Sequence, residues 1–234
     1  MKDRIAAGIE AIEEKIEAAC IRSGRKRQEI RLMGVTKFHS EEKIEAAFKA
    51  GLNLFGENRV QEAKEKYEIF RKNHGRGSAE LHLIGSLQRN KAKAAIGFFD
   101  CIQSVDRDSI ITELGALTAG REKPLMVLLE YHTGEETKSG FPDMDSLYRA
   151  ADKVFSFPGL KAGGLMTMAP FTNDRDAIRL SFRKLVKARD ELEKRFPESW
   201  PCLSMGMTSD FEIAIEEGST MVRIGTAIFG ERTV

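Results

Sequence analysis

Two basic side chains stand where apolar segments leave little water for them. Lys37 closes the run GVTK, and Arg223 lies between Val222 and Ile224 in MVRIG. A lysine emerging from an apolar strand is poorly hydrated, which lowers its pKa and frees the amine to attack a carbonyl carbon. The competing reading is a rim lysine paired with Glu57. An arginine inside a strand needs a partner, because an unpaired buried charge is very costly. That partner is either an internal carboxylate or a bound phosphate or ring nitrogen. A third feature is Gly206-Met207-Thr208-Ser209-Asp210-Phe211-Glu212. Its glycine lets backbone approach a ligand, and its hydroxyls fall where a helix starts, a favourable place for phosphate. Ser209 with Glu212 also reads as a plain capping box, but that leaves Gly206 and Thr208 unexplained.

The elements that would position these residues follow an alternating rhythm. Nearly continuous apolar runs occur at 31–35, 52–56, 81–85, 101–105, 125–130, 160–166, 202–206 and 221–225, as expected of parallel strands covered on both faces. Helical stripes separate several of them: Ile44, Ala47 and Phe48 before Gly51; Val60, Ala63, Tyr67 and Phe70; Leu147, Ala151 and Val154; and Ile178, Phe182, Leu185, Leu192 and Phe196. Ile5, Ile9, Ile12 and Ile16 mark an additional helix at the start. Eight such units predict an α/β fold, a single (β/α)8 TIM-type barrel with an extra N-terminal helix, and one domain over 1–234. An open doubly wound sheet is the runner-up. In a barrel, active residues follow the strands, and the loops after strands seven and eight hold phosphate. Those loops carry Thr208 and Ser209, and Arg223, Gly225 and Thr226.

Composition narrows the classes. The 234 residues carry 37 Lys+Arg against 36 Asp+Glu, so no field exists to hold a polyanion and nucleic acid is not an expected partner. Three scattered cysteines predict a reducing, cytoplasmic setting without disulfides. Neither a signal peptide nor a membrane span is legible, and no metal-ligand spacing occurs. Weaker candidates remain. His82 in LHLIGS reads more readily as a hydrogen-bonded core residue than as a catalytic one. His132, Glu135 and Glu136 share a loop without a second metal cluster. Met166 and Met168 read as packing at the barrel mouth. Lys91 and Lys138 are loop lysines able to contact an anion. No G-x-G-x-x-G fingerprint is present.

Through GVTK, FGENRVQE, LHLIGSLQRNK, SVDR, EETKSG, GLMTMAP and LSMGMTSDFEIAIEEGSTMVRIGTAIFG, the chain resembles the pyridoxal phosphate homeostasis protein family. That family's barrel is similar to the N-terminal domain of alanine racemase. The resemblance implies pyridoxal 5′-phosphate (PLP) held as an aldimine on Lys37. It places the phosphate at Thr208 with the backbone of Gly225 and Thr226, and sets Arg223 opposite the pyridine nitrogen. It adds Asn58 and Ser204 as further contacts. Thr208 stands where the family usually has serine, and His132 where it more often has asparagine. The implied role is intracellular PLP homeostasis without substantial turnover, with PLP and PLP-dependent apoenzymes as partners. An arginine at the ring nitrogen weakens the electron sink, and the racemase's second, acid/base-bearing domain is not expected here. The alternatives are a single-domain PLP-dependent amino-acid racemase or lyase, and a purely structural barrel.

Overall fold

The computed structural model describes residues 2–134, 139–197 and 199–231. Eight parallel strands close on themselves in sequential order. They are β1 (Arg31–Val35), β2 (Leu54–Glu57), β3 (Glu80–Leu83), β4 (Cys101–Val105), β5 (Leu125–Glu130), β6 (Leu160–Met166), β7 (Cys202–Ser204) and β8 (Met221–Ile224). Closure rests on the β1–β8 ladder, where Leu32 faces Val222 and Met33 faces Arg223. That ladder rules out the open sheet. Around the barrel run α1 (Lys2–Ser23), α2 (Glu41–Lys49), α3 (Val60–His74), α4 (Ala92–Phe98), α5 (Asp108–Leu117), α6 (Met144–Phe155), α7 (Arg175–Arg195), α8 (Phe211–Glu216) and α9 (Thr226–Phe229).

The extra helix has a structural reason. Among the described residues after β8, the helix α9 is four residues long, too short to cover the β8–β1 seam. Helix α1 covers it instead, burying Ile5, Ile9, Ile12 and Ile16. A Cβ at Gly8 would sit 3.0 Å from the Ala227 carbonyl oxygen, so the glycine sets how closely α1 seats on α9.

Strand boundaries differ from the apolar runs where a turn claims the residue first. Leu52 is apolar and buried but belongs to the end of α2. Gly51 N–H donates to Phe48 O at 2.9 Å and Leu52 N–H to Ala47 O at 3.0 Å. With Gly51 at φ 93°, this is the paired bonding of a Schellman cap, whose trailing apolar residue packs back on the helix. At the other end, Gly206 at φ 95° lies beyond the end of β7.

Most of the core lies between barrel and helices. Inside the barrel, two small apolar groups stand apart: Met33, Leu54 and Met221, and Cys101, Leu128 and Met166. Gln103, His82, Ser204 and Arg223, all buried, come from β4, β3, β7 and β8.

Candidate functional site

The cavity at the carboxyl ends of the strands has a volume of about 710 Å³, within the range of small-molecule sites. Lys37, Asn58, Thr208, Ser209, Arg223, Gly225 and Thr226 all line it. Seven of the eight expected site residues thus line one cavity. Ser204 is the exception: it is fully buried and acts on the cavity through Arg223.

Lys37 is aimed by a strained turn. Thr36 N–H still pairs with Gly56 O at 3.1 Å, and His39 N–H then closes the turn on Thr36 O at 3.0 Å. Phe38 inside that turn has φ 64°, the one non-glycine positive φ among the described residues. Such a conformation costs on the order of 1–3 kcal/mol and persists only when its surroundings enforce it. Here Glu62 accepts from Phe38 N at 2.5 Å. Behind the turn, Thr36 Oγ1 donates to Glu57 Oε1 at 2.7 Å and meets the Tyr67 hydroxyl at 2.8 Å. Lys66 Nζ binds Glu57 Oε1 at 2.6 Å, Glu62 at 2.9 Å and Thr36 O at 2.8 Å. The cation beside Glu57 is therefore Lys66. Burial still pushes the Glu57 carboxyl upward, with Lys66 opposing.

Arg223 forms part of the cavity's floor. Nη1 donates to Ser204 O at 2.6 Å and Ser204 Oγ at 2.7 Å, and Nη2 to Thr167 O at 2.7 Å. Its direct acceptors are thus two carbonyls and a hydroxyl, not the internal carboxylate considered above. Burial lowers its pKa, while the fields of Asp210 and Glu130 raise it.

The phosphate-side loop is built on Gly206. A Cβ there would lie 2.6 Å from Ala214 Cβ and 2.9 Å from Phe211 Cα, on a φ of 95°. Only glycine folds the loop this tightly onto α8. Asp210, rather than Ser209, occupies the N-cap position of α8, without a side-chain capping bond, and its Oδ1 instead accepts from Met207 N at 2.6 Å. Thr208 and Ser209 are left exposed to the cavity. Gly225 is less constrained. Its φ is −112°, and a Cβ would meet nothing closer than Val35 at 3.5 Å. Protein packing does not demand this glycine.

Glu130 escaped the sequence reading. It ends the apolar run LMVLLE, is 3% exposed, lines the cavity and accepts from Ser139 Oγ at 2.9 Å. Burial raises its pKa. The available signal was the one used for Lys37, a charged residue closing an apolar strand. Asp210 was passed over likewise, as part of a motif read for its hydroxyls. His132 lines a small recess beside the cavity with Tyr131 and Thr133. Lys91 lines a neighbouring groove that shares Asn58, Gly85 and Ser86 with the cavity. Lys138, Glu135 and Glu136 lie outside the described residues. His82 is a hydrogen-bonded core residue, with Gln103 and Glu80 as partners.

The residues present fit PLP. A half-buried lysine suits the aldehyde, a buried arginine suits a ring nitrogen, and two hydroxyls with an uncrowded glycine suit the phosphate.

Known proteins share this fold. The family model of the alanine racemase N-terminal domain matches residues 9–233. The pyridoxal phosphate homeostasis protein of Aquifex aeolicus is 39% identical over 219 residues, 94% of each chain. Among solved structures, an unknown protein from Bifidobacterium adolescentis is 35% identical with a TM-score of 0.91, covering 97% of this chain and 95% of that one. PipY of Synechococcus elongatus, solved with PLP bound, is 31% identical with a TM-score of 0.80, covering 94% of this chain and all of that one. With a family model spanning nearly all of it and a curated relative this similar over almost its full length, the chain belongs to the pyridoxal phosphate homeostasis protein family, on the barrel of the alanine racemase N-terminal domain.

Proposed function

We propose that this protein binds PLP in the cavity at the strand ends, covalently at Lys37 Nζ, and holds it for intracellular cofactor balance instead of turnover. The observation that carries this reading is Arg223. A permanent cation forms part of the cavity's floor, held by neutral acceptors, in the same cavity as Lys37, Thr208 and Gly225. When bound, PLP supplies an electrophilic carbon and an electron-withdrawing ring. The residues of the chain decide how much of that is used. Arg223 disfavours a second positive charge on the atom it faces, which restrains electron withdrawal. Thr208, Ser209 and the Gly225-Thr226 backbone would hold the phosphate, and Asn58 lines the same cavity as Lys37. The setting is the cytoplasm, and the recipients are PLP-dependent apoenzymes. No helix among the described residues is long and apolar enough to cross a membrane.

Glu130 favours a second reading, a PLP-dependent racemase or lyase. It is a cavity carboxyl that burial makes a weaker acid, and it could carry a proton. Tyr131 lines the recess beside it, while the other two tyrosines offer less. Tyr67 is 1% exposed behind Thr36, and Tyr148 lies under the Arg195 guanidinium at 5.4 Å.

Borohydride reduction followed by peptide mass mapping tests the site. The cofactor's mass is expected on the peptide containing Lys37, and finding it mainly on Lys91 or Lys138 overturns the assignment. A panel of L-amino acids, followed by chiral chromatography and keto-acid detection, tests the role. Turnover above about 1 s⁻¹, the low end of ordinary enzyme rates, that vanishes in Lys37→Ala would establish the second reading.

A further inference from the structure

The groups behind Arg223 form one directed chain of hydrogen bonds through the barrel interior. Arg223 Nη1 donates to Ser204 Oγ at 2.7 Å, and Ser204 Oγ donates to Gln103 Oε1 at 2.7 Å. Gln103 Nε2 stands 2.8 Å from His82 Nδ1. His82 Nε2 stands 3.3 Å from Glu80 Oε2, and Arg31 Nη2 caps the same carboxylate oxygen at 2.9 Å. Ser204 and Gln103 are fully buried and His82 is 1% exposed, so no solvent is at hand to repair a mismatch. Glu80 opens β3 and Arg31 opens β1. The chain therefore reaches from the mouth to the opposite end of the barrel.

The direction of each bond follows from the far end. An ionised carboxylate only accepts, so the His82 nitrogen facing it carries the proton. Nδ1 then has a lone pair, which requires the amide nitrogen of Gln103 in front of it. The amide oxygen must therefore face Ser204 and accept its hydroxyl proton. Ser204 Oγ then has an acceptor for its proton and keeps its lone pairs for Arg223. With the other His82 tautomer, the amide would turn over, its NH2 would face the hydroxyl oxygen, and the Ser204 proton would lose its acceptor. In a medium of low dielectric, chains aligned this way strengthen one another.

We propose that Glu80, acting through His82, Gln103 and Ser204, positions the Arg223 guanidinium at the floor of the cavity, so that one end of the barrel orients the cation at the other. The inference rests on the reading that PLP occupies the cavity with its ring nitrogen toward Arg223. None of the four residues lines the cavity, and all are positioning residues.

The test separates the chain from the cofactor. In cofactor-free protein, two-bond ¹H–¹⁵N spectra should place the His82 proton on Nε2. The Arg223 guanidinium should give separate, slowly exchanging N–H signals. Gln103→Leu and His82→Phe should broaden the Nη1 signals, which lose the oriented Ser204 hydroxyl, while the Nη2 proton held by the Thr167 carbonyl stays resolved. In loaded protein, the same variants should retain cofactor mass on Lys37 while the pH midpoint of the visible band moves by about 0.5 unit or more, a roughly threefold change in proton affinity. Glu80→Gln, which still offers an acceptor to His82, should stay within about half that shift. A proton on His82 Nδ1 in the unsubstituted protein overturns the proposal. So does a folded Gln103→Leu protein whose Arg223 signals and band midpoint match the parent's. If the interior variants do not fold, Glu80→Ala at the solvent-reached end decides. It should populate the Nδ1–H tautomer, and an unchanged tautomer overturns the proposal. A protein that never acquires a visible band or cofactor mass refutes the PLP reading instead, and the spectra of the cofactor-free form still judge the chain.

Discussion

Lys37 and Arg223 line the same cavity, yet they are held by opposite means. Behind Lys37 the bracing is ionic and lies outside the barrel, where Lys66 ties Glu57, Glu62 and the Thr36 carbonyl between β1, β2 and α3. Behind Arg223 the nearest groups are neutral and lie inside, with Ser204, Gln103 and His82 in single file. The first arrangement holds backbone: it keeps Phe38 at a strained φ of 64° so that the preceding side chain faces the cavity. The second holds a side chain and leaves the backbone to the strands. Charges restrain a loop strongly but without direction, whereas a file of amides and hydroxyls has a direction and passes it on.

The contrast breaks first at Lys66. Its side chain is 12% exposed and that of Glu57 is 0% exposed, so Lys66→Ala leaves a buried carboxylate without its cation. Loss of about 3–5 kcal/mol in denaturant-unfolding stability is expected, the usual cost of removing one member of a buried pair. The loss should shrink in acid. The Glu57 pKa is already raised by burial, and once protonated it no longer needs Lys66. A loss unchanged between about pH 4.5 and pH 8 would mean that the ionic bracing is not what the substitution removed.

The phosphate side gives the next effect. Thr208→Ala should weaken cofactor retention by about 1–3 kcal/mol, the range for a charge-assisted hydrogen bond, measured by equilibrium dialysis against PLP. The band position should stay fixed, because Thr208 does not touch the Arg223 chain. The two glycines sharpen the point. Gly225→Ala meets only ordinary contact at 3.5 Å, so it should fold normally and lose affinity for PLP more than for pyridoxal. Gly206→Ala faces a positive φ and a contact of 2.6 Å, so it should cost stability even without ligand. Equal discrimination between PLP and pyridoxal in parent and Gly225→Ala protein would remove the phosphate from this turn.

Much of the fold was legible because each strand of a parallel barrel is buried on both faces and reads as an unbroken apolar run. Lys37 and Arg223 were legible for the complementary reason, as charges that interrupt such runs. Glu130 gave the same signal and was missed because attention fell on nucleophiles and phosphate ligands. Leu52 misled because an apolar helix cap and an apolar strand look alike without the bonds to Ala47 and Phe48. Helix α5 was not read, although Ile110, Ile111 and Leu114 are buried on it. The bracing was not legible at all. Lys66 reaches Glu57 from a helix turn, and Gln103 reaches His82 and Ser204 from different strands. Those meetings are set by barrel closure, which no local pattern encodes.

Glu130 supplies the smallest and most discriminating test, because it is a charge placed on the neutral side. Burial raises its pKa, with Ser139, Arg223 and His132 only partly opposing that shift. A carboxyl that binds its proton more tightly folded than unfolded favours the folded state at low pH. That contribution is fully present below the unfolded pKa, and it is lost as pH rises through the folded one. At neutral pH the ionised side chain is thus a net burden on the empty barrel. Glu130→Gln keeps an acceptor for Ser139 and removes the burden. Cofactor-free protein carrying it should be more stable than the parent at pH 8, by about 1 kcal/mol or less given the remaining hydrogen bond. The difference should vanish as pH falls below about 4, where the parent carboxyl is protonated in both states. Thermal melts of both proteins across pH 4–8 read this directly. If Glu130→Gln is instead less stable at pH 8, the carboxylate is supporting Arg223, and both anchors of the cavity then depend on charge.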